Sequence, residues 1–192
     1  MISELKFKFL ENEIVYDGRQ LKTHFGLEKT GIFGSLVLAF IGKCEVQTSE
    51  LVDWEDRLNS DFIRAKKMLH FVGEFYGTSL ESTVLYQRLF MDHARKILSK
   101  YSAFQKIKRN GDDLMVGEQK LSVSIATASP VSTLIHWGIN IDSKGAPIAT
   151  IGLNVLDWNQ NQIQQFSKEL FENFANEVCD IQKACMKVKP VL

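Results

Sequence analysis

No stretch of this chain approaches the roughly 20 consecutive apolar residues that a membrane-crossing helix needs. The longest apolar run, Leu36–Ile41, falls far short of that. Net charge is missing as well: Lys plus Arg number 23, and so do Asp plus Glu. That balance gives no electrostatic footprint for nucleic acid or an anionic membrane surface, and it disfavours non-specific binding to either. Cysteine is scarce. Cys44, Cys179 and Cys185 are odd in number and lack zinc spacing, so free thiols in a reducing cytoplasm are expected. Met1–Phe9 mixes charged and apolar residues and reads as neither a secretory signal nor a transit peptide. Repeats, low-complexity tracts and Pro/Gly-rich linkers are absent too. So are a phosphate-binding loop, a dinucleotide fingerprint and a nucleophile elbow. No two histidines have the helical spacing of a zinc peptidase, and no metal site is expected.

What remains is a chain of 192 residues, 45% hydrophobic, long enough to remove roughly 70% of its unfolded surface from water. One domain over residues 1–192 is the simplest organisation. Leu5–Phe9 alternates with period two and reads as a strand. A short second strand is expected at Ile14–Tyr16. Ser35–Ile41, apolar at nearly every position, suits a central strand buried on both faces. From about Asp61 the spacing of Phe62, Ala65, Leu69, Val72 and Tyr76 predicts a helix, ended by Gly77. A second helix is predicted from a Ser79 cap through Leu80, Val84, Gln87, Met91, Ala94 and Leu98. Period two returns over Lys120–Ala128 and Val131–Ile141. The stripe Ile163, Phe166, Leu170, Phe174, Val178 and Ile181 then predicts a long helix capped near Asn159 or Asn161. This order specifies an α+β fold, with a central mixed, mostly antiparallel sheet flanked by helices.

Candidate chemistry concentrates between Asp112 and Asn140. Strict alternation from Lys120 places Lys120, Ser122, Ser124 and Ala126 on one face, and Leu121, Val123 and Ile125 on the other. In the next strand His136, Gly138 and Asn140 lie opposite Ile135, Trp137, Ile139 and Ile141. Pairing through Ser129-Pro130 would gather Lys120, Ser122, Ser124, His136 and Asn140 on one surface of small and polar groups. Such a surface is a pocket floor, or a polar sheet face covered by another element. Lys120 at its mouth is either solvated or desolvated; if desolvated, it requires a carboxylate or an anionic ligand. Asp112 and Asp113 could pair with it, hold a magnesium ion, or simply form a polar turn. Arg19 offers a guanidinium fork for carboxylate or phosphate, and His24 follows it. His70 sits among apolar neighbours and is expected in the core; His93 is expected on an exposed helix face.

These blocks carry a resemblance. Asn110-Gly-Asp-Asp-Leu-Met-Val-Gly-Glu-Gln-Lys120, Leu-Ser-Val-Ser-Ile-Ala and His136-Trp-Gly-Ile-Asn-Ile141 resemble the core of lipoate and octanoyl transferases and biotin ligases. Over nearly the full length, the chain looks like an uncharacterised, mainly archaeal family of that superfamily. Its matching blocks include Tyr16-Asp-Gly, Phe40-Ile-Gly-Lys-Cys-Glu-Val46, Val52-Asp-Trp-Glu-Asp56 and Met68-Leu-His-Phe71. The resemblance implies a fold akin to the class II aminoacyl-tRNA synthetase core. It makes Lys120 the residue that contacts substrate and carries catalysis, with Ser122, Ser124, His136 and Asn140 around it. Arg19 and His24 fall in the place of an Arg-Gly-Gly…His-Gly segment. It further implies a small carboxylate or acyl ligand and ligation or transfer to an acceptor protein or RNA that the sequence does not name; the cofactor stays unknown, with ATP and magnesium as candidates. The chain departs from the pattern twice. The Arg-rich glycine loop has only Gly31-Ile-Phe-Gly34 in its place, and no cysteine lies between Cys44 and Cys179 to form a thioester. A non-catalytic binding module and a structural domain in an oligomer stay open beside the ligase-like expectation.

Overall fold

The computed structural model describes residues 4–191, so the first residues of the Met1–Phe9 reading lie outside it. Five strands form the main sheet: β1 (Lys6–Phe9), β2 (Leu36–Val46), β3 (Ile63–Phe75), β7 (Ser122–Ala128) and β8 (Thr133–Asp142). Their spatial order is β1-β2-β3-β8-β7, with β1 parallel to β2 and every other neighbour antiparallel. The expected mixed, mostly antiparallel sheet is therefore present. A smaller sheet joins β4 (Ile107–Asn110), β5 (Asp113–Val116) and β6 (Gln119–Lys120). Its two tight turns place Gly111 and Gly117 at φ of 61° and 62°, a left-handed backbone that glycine adopts without steric cost.

Two long helices, α3 (Leu80–Leu98) and α4 (Gln160–Met186), cover one face of the main sheet. Each begins where a side chain satisfies an otherwise orphaned N–H. Ser79 accepts from the Ser82 N–H. Asn159 and Gln162 form a reciprocal capping box. The core between helices and sheet stacks Trp137 on Phe90, with ring centroids 4.2 Å apart, and packs Phe174 edge-on against both. No described helix is long and apolar enough to cross a membrane.

The helix expected from Asp61 to Tyr76 is instead β3, the central strand. Its odd residues Leu69, Phe71 and Phe75 face the helices, while Met68 and Val72 join Phe40, Leu38 and Tyr16 on the other face. A strand buried on both sides is apolar almost continuously, and such a run contains helical spacings by coincidence. The strand expected at Ile14–Tyr16 shrinks to one bridge, Tyr16 to Cys44, beside a bulge in β2 between Gly42 and Cys44. There the chain crosses so closely that a Cβ on Gly42 would lie 1.8 Å from the Ile14 carbonyl oxygen. His93 is buried rather than exposed: it lies on the inner side of α3 with Ala94 and Phe90.

A candidate ligand cavity

The sheet face turned away from α3 and α4 is only partly covered. The loop between β1 and β2 and the short helix α1 (Phe25–Thr30) close one end of it. Over the other end lies a cavity of about 330 Å³, near the lower limit for small-molecule sites. Met68, His136 and Asn140 from the central strands and Val123 and Ile125 from β7 form its floor. Residues 51–64, which include the short helix α2 (Trp54–Leu58), and residues 146–150 after β8 make its walls.

Lys120 enters at the edge of this floor. Its Nζ lies 2.8 Å from Asp113 Oδ2, and both side chains are 27% exposed. Burial pushes the Asp113 carboxyl above its usual range; Lys120 pulls it back down, and Asp112 and Asp56 push it further up. Main-chain bonds fix the lysine's position. Its N–H donates to the Ala149 carbonyl at 3.0 Å, and its carbonyl accepts from the Ile151 N–H at 3.1 Å. Asn140 Nδ2 ties the same carbonyl to that of Ile151, at 3.3 Å each. Asn140 thus holds the strand that carries Lys120.

On the floor, His136 Nε2 lies 3.1 Å from His70 Nδ1, and both rings are buried. Tyr16 stacks on His136 with centroids 3.8 Å apart. Desolvation lowers His70 to about 3, a backbone interaction with Gly42 opposing it weakly. Desolvation holds His136 well below the usual imidazole range, and His70 adds to the effect. Both are neutral, and the 3.1 Å contact is a hydrogen bond when one ring carries its proton there and the other does not. His70 is a core residue as expected, but it also backs the residue that lines the cavity.

Lys120, Asp112, Asp113, Ser124, His136 and Asn140 all line this cavity. Ser122 does not. The register pairs Ser122 with Ile139, Ser124 with Trp137 and Ile125 with His136, so Ser122 and Ser124 share the helix-facing side, and Val123 and Ile125 face the cavity. Alternation breaks at Leu121: both Leu121 and Ser122 are fully buried on the helix side, and a one-residue slip inverts every side chain beyond it. Ser122 is held there because its Oγ accepts from the Leu114 N–H at 2.8 Å, stitching the small sheet to the large one. Ser124 reaches the cavity only at the sheet edge, where it and Gln87 of α3 both bond Asp112 Oδ2.

Arg19 and His24 are elsewhere. Arg19 is 77% exposed and paired with Asp17, a partner two residues away that satisfies its fork locally. His24 caps α1 in a left-handed conformation, φ 65°, and contributes its backbone N–H to both carboxylate oxygens of Glu74. Asp53, Asp56, Asp61 and Arg64 were not anticipated as lining residues. The one signal for them is the block Val52-Asp-Trp-Glu-Asp56, whose Asp53 accepts from the Glu55 and Asp56 N–H groups as the cap of α2.

The fold, a five-stranded mixed sheet with helices on one face, is similar to that of biotin protein ligases of known structure. Biotin protein ligase from Aquifex aeolicus in complex with biotin and ATP superimposes with a TM-score of 0.53, covering 88% of this chain and 70% of that one at 14% identity. The chain itself belongs to the domain of unknown function DUF366, whose model matches residues 5–189. It is similar to an uncharacterised protein of Methanocaldococcus jannaschii, 31% identical over 96% of this chain and 84% of the relative. It is also similar to a protein of unknown function from Pyrococcus horikoshi, at TM-score 0.87 and 32% identity, covering 98% of this chain and all of that one.

Proposed function

We propose that the cavity holds a small molecule with an apolar body and an acyl or carboxyl group, bound for ligation or transfer, with Lys120 at the reacting end. The observation that carries this reading is the juxtaposition of a partly desolvated ammonium with an apolar floor of Met68, Val123 and Ile125. Lys120 would contact the carbonyl oxygen and stabilise charge developing there. To do so it must share or leave its bond to Asp113, so the ion pair is the resting state of the site. His136, neutral and buried, supplies a hydrogen bond rather than a charge, and Asn140 positions the lysine's strand. Ser124 and Asp112 brace the edge. Arg19, His24 and Ser122 have no part in this cavity. Biotin and ATP are what the Aquifex aeolicus neighbour holds.

A triphosphate does not fit the lining as it stands. Five aspartates face two cations, and no three acidic, His or Cys groups among the described residues converge as a metal site.

Thermal shift with biotin, lipoate, octanoate, amino acids and ATP, on wild type and Lys120→Ala, tests the reading. A ligand at 100 times its dissociation constant stabilises a protein by about 2.7 kcal/mol. For this size that is roughly 5–11 °C. One member of the panel should shift the wild type and fail to shift the variant; equal shifts in both would remove Lys120 from the site. Pyrophosphate release on adding ATP would separate ligation from binding without turnover.

A further inference from the structure

Gln87 sits where packing alone would place an apolar residue. It lies on the inner side of α3 beside Thr83, Phe90 and Met91, and it is only 4% exposed. Burying a primary amide costs free energy unless its hydrogen bonds are made. Both hydrogens of its Nε2 are committed: the nitrogen lies 2.9 Å from Asp112 Oδ2 and 2.8 Å from Ser124 Oγ. Ser124 accepts from the amide, so its own hydrogen goes to Asp112, where Oδ2 and the backbone carbonyl are each 3.1 Å away. The three side chains close a ring in which every hydrogen bond has one direction. The opposite amide orientation would set an oxygen against a carboxylate.

What the ring holds is the tip of an exposed hairpin. β4 and β5 pair up to Asn110 and Asp113, which leaves Gly111 and Asp112 as the turn residues. Lys108, Arg109, Asn110 and Gly111 are exposed, and a tip of that kind is ordinarily the mobile end of its hairpin. Here Asp112 ties it to α3 and to the edge of β7. The residue that follows, Asp113, is the partner of Lys120 at 2.8 Å. Among the described residues Asp112 forms no ion pair, so neutral donors alone hold it and Lys120 is left to Asp113.

We infer that Gln87 is a positioning residue for Lys120: through Asp112 it fixes the hairpin tip that presents Asp113 to the lysine, and so sets how firmly Lys120 is held until a ligand takes it. This role rests on the reading of Lys120 as the reacting end of the cavity. Gln87 does not itself line the cavity and acts at one remove, from the helix side of the sheet. Gln87→Leu would keep the packing of α3 and release the tip. Trp137 would keep its partner, because its Nε1 donates to the backbone carbonyl of residue 87, at 3.1 Å, and not to the side chain.

The test is the coupling between Lys120 and Asp113, measured in the full chain by urea denaturation of Lys120→Ala, Asp113→Asn and the double variant. In the wild-type background the coupling is expected to be roughly fivefold to thirtyfold in the unfolding constant. In the Gln87→Leu background it should fall to about twofold or less. Gln87→Met, unbranched and equally without a donor, should do the same and replaces the leucine variant if that one does not fold. A residue that only packs lowers the stability of every member of the cycle alike and leaves the coupling as it was. Phe90→Leu, which strips packing from Trp137 without touching Asp112, is the control and should leave the coupling intact. A coupling unchanged by the Gln87 variants would overturn the inference while leaving the cavity reading in place. So would a wild-type coupling near unity, or one that Phe90→Leu lowers as much as Gln87→Leu does. The cycle needs no ligand and is separate from the thermal-shift panel. If no panel member shifts the wild type, the cavity reading fails, and the role of Gln87 fails with it whatever the coupling.

Discussion

Replacing Lys120 by alanine strips the counter-charge from Asp113 and leaves that carboxylate beside Asp112 and Asp56. Breaking a fully buried pair costs about 3–5 kcal/mol, and an exposed one 0–1 kcal/mol. With both partners 27% exposed, solvent screens part of the loss, and about 1–2 kcal/mol is the expected destabilisation at pH 7. At 2–4 °C per kcal/mol that lowers the midpoint by roughly 2–8 °C. The sign of the pH dependence follows from the direction of the Asp113 shift. A carboxyl whose folded pKa is raised is destabilising when ionised, and that penalty disappears once it is protonated. The deficit of Lys120→Ala should therefore be largest at neutral pH and fade towards the ordinary aspartate value of 3.8. Urea denaturation of the two single variants and the double variant Lys120→Ala/Asp113→Asn closes the cycle. The double variant should recover most of what the lysine variant loses, because no unpaired carboxylate remains. If both single variants are neutral, or the double variant is as unstable as their sum, the pair contributes nothing and Lys120 is simply solvated.

Further outcomes follow from the floor and the cysteines. A Cβ on Gly138 would lie 2.4 Å from Met68 Sδ and 3.0 Å from Val123 Cγ2, so Gly138→Ala should cost about 1–3 kcal/mol by overpacking and weaken any ligand in the cavity; unchanged ligand affinity in the folded variant would place the ligand elsewhere. Burial pushes the Cys44 thiol up to about 12, which removes it as a nucleophile, and Cys179 and Cys185 lie on α4 away from the cavity. Replacing all three with serine should lower stability through Cys44 alone and leave any turnover intact; its loss in a folded variant would restore a thioester route. The neutral histidine pair predicts that stability falls as pH drops from 7 to 5, because the unfolded chain takes up protons that buried His70 and His136 refuse. Replacing the pair with Phe and Leu should flatten that slope, and a wild type already flat over this window would contradict the assignment.

Where the physics is local, the sequence was legible. Ser79 and Asn159 announce their helices because a cap is a contact between near neighbours. β2 and β8 are recognisable because two buried faces demand apolar residues throughout. The same demand hid β3: its residues satisfy a helical spacing as well as a strand, and only pairing with β2 and β8 decides between them. Lys120, His136 and Asn140 meet at the cavity as alternation suggested, yet the path between them differs. Leu121 and Ser122 turn to the same side because Ser122 is claimed by the Leu114 N–H, a long-range bond invisible to periodicity. The aspartates at positions 53, 56 and 61 read as an ordinary helix start and a polar loop, since nothing local says that they overhang β7 and β8.

The floor of the cavity is also part of the load-carrying sheet, whereas its walls are two short connections. Met68, His136 and Asn140 belong to strands whose opposite sides face the aromatic core, so their backbone cannot shift without disturbing Trp137 and Phe71. Residues 51–62 and 146–150 carry Trp54, Leu58 and Ile148 largely exposed, and little of the core depends on them. Ligand preference can therefore drift among relatives through the walls alone, at small cost in stability, while the floor stays fixed. Saturation mutagenesis would reveal this as a division within one site: positions 56, 61 and 148 tolerant of substitution in abundance but sensitive in selectivity, and positions 68, 136 and 138 intolerant in both.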